Sequence, residues 1–104
     1  MAEIRNRYEL HELLCTILGS RNVYFQPPET VKMVYPAIVY HLANIRNFEA
    51  DNSVYRQSHH YTITVIDPDP DSTVAAQLST ILRSRFDRMF STEGLNHFVF
   101  TIYY

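Results

Sequence analysis

A chain of 104 residues with a formal net charge of −2 has room for one core, and it lacks the surplus of Lys and Arg that sequence-independent binding to a phosphate backbone requires. Hydrophobic residues make up 46% and glycines number only two, which excludes the disordered and fibrous classes; the single cysteine, Cys15, excludes an intrachain disulfide and points to a reducing, intracellular origin. Charged residues are only 19% while aromatics reach 13%, eight of them tyrosines, a balance that suits protein interfaces as well as a Tyr-rich sheet core.

The start Met1-Ala2-Glu3-Ile4-Arg5 lacks the apolar run of a signal peptide, and no apolar stretch reaches bilayer length, so a soluble chain with no membrane partner is expected. From Ile4 to Leu18 the residues Ile4, Tyr8, Leu10, Leu14, Ile17 and Leu18 recur at three- and four-residue steps and predict an amphipathic helix, with Gly19 as its left-handed C-cap. Val23–Gln26 is a short β-rich run stopped by Pro27-Pro28, which predicts an edge strand or extended arm. After Pro36, the run Ala37–Ile45 is apolar on both alternating faces and predicts a central strand.

Glu49, Asp51, Asn52 and Ser53 favour turns over ladders, so Phe48–Arg56 predicts a hairpin tip. His59–Ile66 alternates again, with Tyr61, Ile63 and Val65 on one face, and predicts a strand returning antiparallel to the first. Asp67-Pro68-Asp69-Pro70-Asp71-Ser72 breaks that ladder and supplies oxygens to cap a following helix. Val74, Leu78, Ile81, Leu82, Met89 and Phe90 hold helical spacing, so one helix is predicted from there to Phe90, with Arg83, Arg85 and Arg88 in its last turns complementing the helix dipole. After the Thr92-Glu93-Gly94 turn, Phe98, Phe100, Ile102 and Tyr104 alternate with His97, Val99, Thr101 and Tyr103 as a closing strand. The expected fold is therefore a single α+β domain over residues 1–104: a small antiparallel or mixed sheet with two helices packed on it, in the order helix, short strand, hairpin, helix, strand.

Five histidines raise the question of a metal, but His59 and His60 are adjacent on a strand and leave opposite faces, His41 and His97 sit singly on other strands, and His11 reads as a helix-surface residue. Cys15 sits beside Leu14 in a helix, which suits a small core residue better than a nucleophile partnered by His59 or His60. Asp67, Asp69 and Asp71 lack the central glycine and distal glutamate of the familiar calcium loop. No catalytic, metal or cofactor site is therefore expected, and the chain reads as a non-enzymatic structural subunit that assembles with copies of itself. Its candidate interface is the tip, where Phe48, Val54 and Tyr55 stand among the polar Asp51 and Asn52 and would expose apolar surface on a projecting hairpin. The alternative there is that Phe48 and Tyr55 fold back on their own sheet as a cross-strand pair.

The segments Tyr35-Pro36-Ala37-Ile38-Val39-Tyr40, Ala50-Asp51-Asn52 with Tyr55, Tyr61–Asp67 and Pro70-Asp71-Ser72, in that order and with Gly94-Leu95 and the aromatic last strand, resemble the tail terminator, or tail completion, proteins of long-tailed bacteriophages. The resemblance covers nearly the whole chain and rests on short structural motifs. It implies a hexameric ring that caps the tail tube protein, stops polymerisation and presents a surface to the head connector or neck protein. It also implies a place in the virion tail or neck, host cytoplasm during assembly, DNA passing through the ring without specific binding, and no catalytic residues. Other readings are a neck or head-completion protein, which also makes rings, a small enzyme using Cys15, and a cytosolic adaptor that binds peptides by strand addition.

Overall fold

The computed structural model describes residues 7–27, 32–50, 53–80 and 84–103, with the backbone alone for 46–50 and 53–58. Helix α1 runs over Arg7–Leu18 and ends where Gly19, at φ +80°, donates its amide to the Cys15 carbonyl at 2.9 Å. Strand β1, Val23–Phe25, lies parallel to β2, Ala37–Ala50; β2 pairs antiparallel with β3, Ser53–Asp67. Helix α2 is Thr73–Leu78, and β4, Ser84–Thr92, pairs antiparallel with β5, Leu95–Tyr103. The result is one five-stranded mixed sheet in the order β1-β2-β3-β5-β4, so the α+β class is as the sequence implies, while among the described residues β2 has neighbours on both sides only along Ile38–Tyr40.

The core lies between the helices and one sheet face. Leu10, Leu14 and Cys15 from α1 and Val74, Ala75 and Leu78 from α2 cover Ile38 and Tyr40 of β2, Tyr61, Ile63 and Val65 of β3, and Phe100 and Ile102 of β5. Registers Ile38↔Val65, Tyr40↔Ile63 and Ile63↔Phe100 set these side chains on one face, and burying each large one stabilises the fold by about 1.5–3 kcal/mol. The opposite face bears Val39, Thr62, Thr64, Val99 and Thr101 and carries no helix among the described residues.

Three expectations need correction. The helix predicted to reach Phe90 stops at Leu78: the Ser79 and Thr80 hydroxyls donate to the Ala76 and Gln77 carbonyls at 2.7 Å, and the Ser84 hydroxyl donates to the Leu78 carbonyl at 2.9 Å. These hydroxyls satisfy the last carbonyls of α2 and close it. Arg85 and Arg88 accordingly lie on β4, not on a helix, and Arg83 lies outside the described residues. Secondly, the stretch read as a hairpin tip is mostly ladder, which runs on through Phe48↔Arg56 and Glu49↔Val54 to Ala50↔Ser53, with a register shift after Phe48. Thirdly, His11 is not a plain surface residue: it is half-buried, and its Nδ1 lies 2.7 Å from the Tyr40 hydroxyl.

Two local predictions are met closely. The Ser72 hydroxyl accepts the Ala75 amide at 3.2 Å as the N-cap of α2, preceded by Asp67 and Asp69 carboxylates that each accept the amide two residues on at 2.9 Å. Glu93 and Gly94, at φ +53° and +76°, form the two-residue turn that the paired Thr92 and Leu95 require.

Candidate functional site

Cys15, Tyr40 and His11 are taken up by the fold, whereas His59 and His97 each bury an Nδ1 with no hydrogen-bond partner among the described residues. Cys15 is buried in the core, and burial pushes its thiol up, against what a thiolate nucleophile needs. The Tyr40 hydroxyl receives a donor from Arg7 at 3.3 Å and lies against His11 Nδ1, so it joins α1 to β2 as a buried polar node. Burial, then Arg21 and Arg7, lower the His11 pKa below its ordinary value, so the contact with the Tyr40 hydroxyl is made against a ring biased toward its neutral form. His97 stacks on Phe90 with ring centroids 4.7 Å apart, His60 stacks on Tyr103 at 4.2 Å, and His59 stands on the other face near Tyr61. No group of three or more His, Cys, Asp or Glu side chains converges among the described residues. No helix among them is long and apolar enough to cross a membrane.

What the fold leaves open is its sheet edges. Among the described residues strand β4 pairs with β5 on one side only, and along its nine residues every position after Ser84 is exposed. Phe86 is 51% and Met89 43% exposed on the helix side, beyond the reach of the six-residue α2. At the opposite edge β1 covers only Ile38–Tyr40 of a fourteen-residue strand. There Leu42 is 36% and Ile45 45% exposed, also on the helix side.

The β2 edge is finished by side chains. Gln26, at φ 45°, turns the chain away from β2 after its amide has bonded the Tyr40 carbonyl at 3.0 Å. Its Oε1 then accepts the Leu42 amide at 3.4 Å, where a continuing strand would have placed a backbone carbonyl. Three residues on, Asn44 Oδ1 accepts the Ile45 amide at 2.8 Å. Beside this edge lies an open hollow of about 520 Å³ lined by Gln26, Pro27, Val39, Tyr40, His41 and Leu42.

Beyond His60, where β5 ends at Tyr103, β3 has only β2 for a neighbour among the described residues. Residues 45–50 and 53–59 thus form a two-stranded arm outside the body, about 20 Å long at the usual rise of a strand. Of the sequence candidates, Phe48, Val54 and Tyr55 belong to this arm by their backbone, and their side chains lie outside the description; Asp51 and Asn52 lie outside the described residues altogether. Phe48 pairs with Arg56, and Tyr55 falls at the register shift, so the two are not direct cross-strand partners. Sequence reasoning did not find the β4 edge. The signal was present in Phe86 and Met89, two apolar residues three apart, but that spacing also reads as a helix.

No protein-family model matches the chain, and no curated protein does.

Proposed function

We propose that this chain is a ring-forming structural subunit of the phage tail terminator kind, which caps the tail tube and offers its other side to the head connector or neck protein. The observation that carries the reading is the two-stranded arm beyond the body, with exposed Leu42 and Ile45 at its base. An isolated hairpin is at best marginally stable in water, and exposed apolar residues at its base cost solubility, so burial by another subunit accounts for both features. Two different open edges on one sheet also suit a ring, because a closed ring of more than two copies uses two unlike patches head to tail. The motif resemblance supplies the hexameric order, the tube and connector as partners, the virion tail or neck as location, and DNA as the content of the lumen.

The test is assembly. Light scattering on the purified chain, alone and with tail tubes, is expected to show species well above 12.2 kDa, and electron microscopy should show discrete rings at tube ends. Rings that bind head connectors but never tubes would shift the reading to a neck protein. A chain that stays monomeric alone and with assembled tubes would end it.

A further inference from the structure

The two open edges fit each other, and this fit follows from hydrogen-bond phase. Ile38 donates its amide to the Asn22 carbonyl and Tyr40 accepts from Gln26, each at 3.0 Å, so Ile38, Tyr40 and Leu42 turn their backbone groups toward β1 and their side chains toward the helices. The register shift between Leu42 and Asn44 absorbs Ala43 and carries the same phase to Ile45, whose amide faces outward onto Asn44 Oδ1. Alternation across the four antiparallel strands β2, β3, β5 and β4 gives β4 the same property: Ser84, Phe86 and Met89 turn backbone outward and side chain to the helix side. The register shift between Phe86 and Arg88 absorbs Asp87 there, as Ala43 is absorbed in β2. In an antiparallel pair the residues that exchange hydrogen bonds stand opposite one another on the same face. The β4 edge of one copy can therefore join the β2 edge of another and keep both helix layers on one side of a continuous sheet.

Length and chemistry agree with this. With β1 and Gln26 filling the edge through Leu42, the open run is Ala43–Ala50, eight residues, against nine in β4. Abutting the C-terminal end of β4 on Gln26 brings Met89 beside Ile45, both exposed and both outward in phase. The Ile45 amide, in the open run, is capped only by the side chain of its own neighbour Asn44, a stand-in for a strand. The occupant is a second copy of this chain, because its β4 has the length and the phase that the edge requires and an exposed apolar side chain, Met89, to set against the exposed Ile45.

We infer that neighbouring subunits join by antiparallel pairing of β4 from one copy with the β2 edge beyond Gln26 of the next, Met89 lying against Ile45, so that the sheet runs on from subunit to subunit. This rests on the ring reading and specifies its contact. The experiment uses chains carrying Cys15→Ser together with Ile45→Cys or Met89→Cys. Mixed and oxidised, the two are expected to form a covalent dimer that neither forms alone, and a chain with both new cysteines should give a ladder of covalent multimers. A second variant, Met89→Pro, removes an outward amide that the body does not use; it should keep the wild-type circular dichroism and melting behaviour but lose the assembled species in light scattering. Wild-type-sized rings from Met89→Pro, with no mixed cross-link, would overturn the edge pairing while leaving the ring reading in place. Cross-linking of Met89→Cys chains with one another would overturn it in favour of a two-fold contact. A wild-type chain monomeric under all conditions would sink both.

Discussion

In the middle of the sheet, Ile38, Ile63, Val65 and Phe100 on the helix side are fully or almost fully buried, while at the two edges Leu42, Ile45, Phe86 and Met89 on that same side stand open. The residue types are alike, and only the cover differs. Helix α1 lies over the β1 and β2 end of the sheet and α2 packs beside it, but α2 has six residues, and its carbonyls are closed by hydroxyls before it could pass over β4. The exposed set thus follows from where the helical layer ends. What one copy leaves uncovered is the surface that a second copy would cover, so the body should answer to folding measurements and the edges to assembly measurements.

The sharpest test of that division compares two phenylalanines in contact. Phe100 and Phe86 meet edge to face with centroids 5.3 Å apart, the first almost fully buried, the second half exposed on the free strand. Phe100→Ala should destabilise the monomer by about 3–5 kcal/mol in urea unfolding. Phe86→Ala should cost the monomer under about 1 kcal/mol while weakening self-association. Equal losses of monomer stability would erase the distinction between body and edge.

The arm extends the comparison. Tyr55→Ala should cost about 1–3 kcal/mol of association, read from sedimentation or tube binding, with the monomer's melting temperature nearly unchanged. A clear fall in monomer stability with unaltered ring or tube binding would instead return Tyr55 to its own sheet and retire it as an interface anchor.

How far these regions were legible in the sequence follows the same line. Strands β2 and β3 alternate cleanly where both are covered, as Tyr61, Ile63 and Val65 show, and their partners follow from that period. Helix α1 and its Gly19 cap were equally plain. Strand β4 was not, because the bulge at Asp87 stretches a two-residue period to three between Phe86 and Met89, and a step of three reads as a helical turn. The bulge at Ala43 does the same between Leu42 and Ile45. In the arm, Glu49 and Ser53 suggested a loop, yet cross-strand pairing carried the ladder through them, a long-range choice that local propensity does not encode. The contact between His11 and Tyr40 was also invisible, since nothing in the spacing of 29 residues foretells it.

That contact belongs to the body and gives a smaller effect. Tyr40→Phe removes a buried hydroxyl that receives Arg7 and lies 2.7 Å from His11 Nδ1, and it should lower stability by about 1 kcal/mol in denaturant titration, without touching assembly. A variant that unfolds normally but fails to assemble would place the node at an interface.

The smallest effect is in pH, and its sign follows from the same node. Burial first, then Arg21 and Arg7, hold the folded His11 pKa below the ordinary 6.5, so between that value and the folded one the unfolded chain binds more protons. Stability from the neutral ring is complete above about pH 6.5 and is lost as pH falls through the folded value, because burial and the nearby Arg21 and Arg7 disfavour the charged imidazolium. On the alkaline side burial raises the Cys15 thiol above 9.0 and the Tyr40 and Tyr61 hydroxyls above 10.0, so their contribution is full below those values and declines as pH rises past them. The monomer should therefore be most stable between about pH 6.5 and 9. His11→Gln keeps a hydrogen-bonding side chain but cannot titrate. Melting temperatures at pH 7.5 and 5.5 should fall by less in this variant than in the parent. If the two fall equally, the acid limb has another source, and the node between α1 and β2 acts only as a fixed joint.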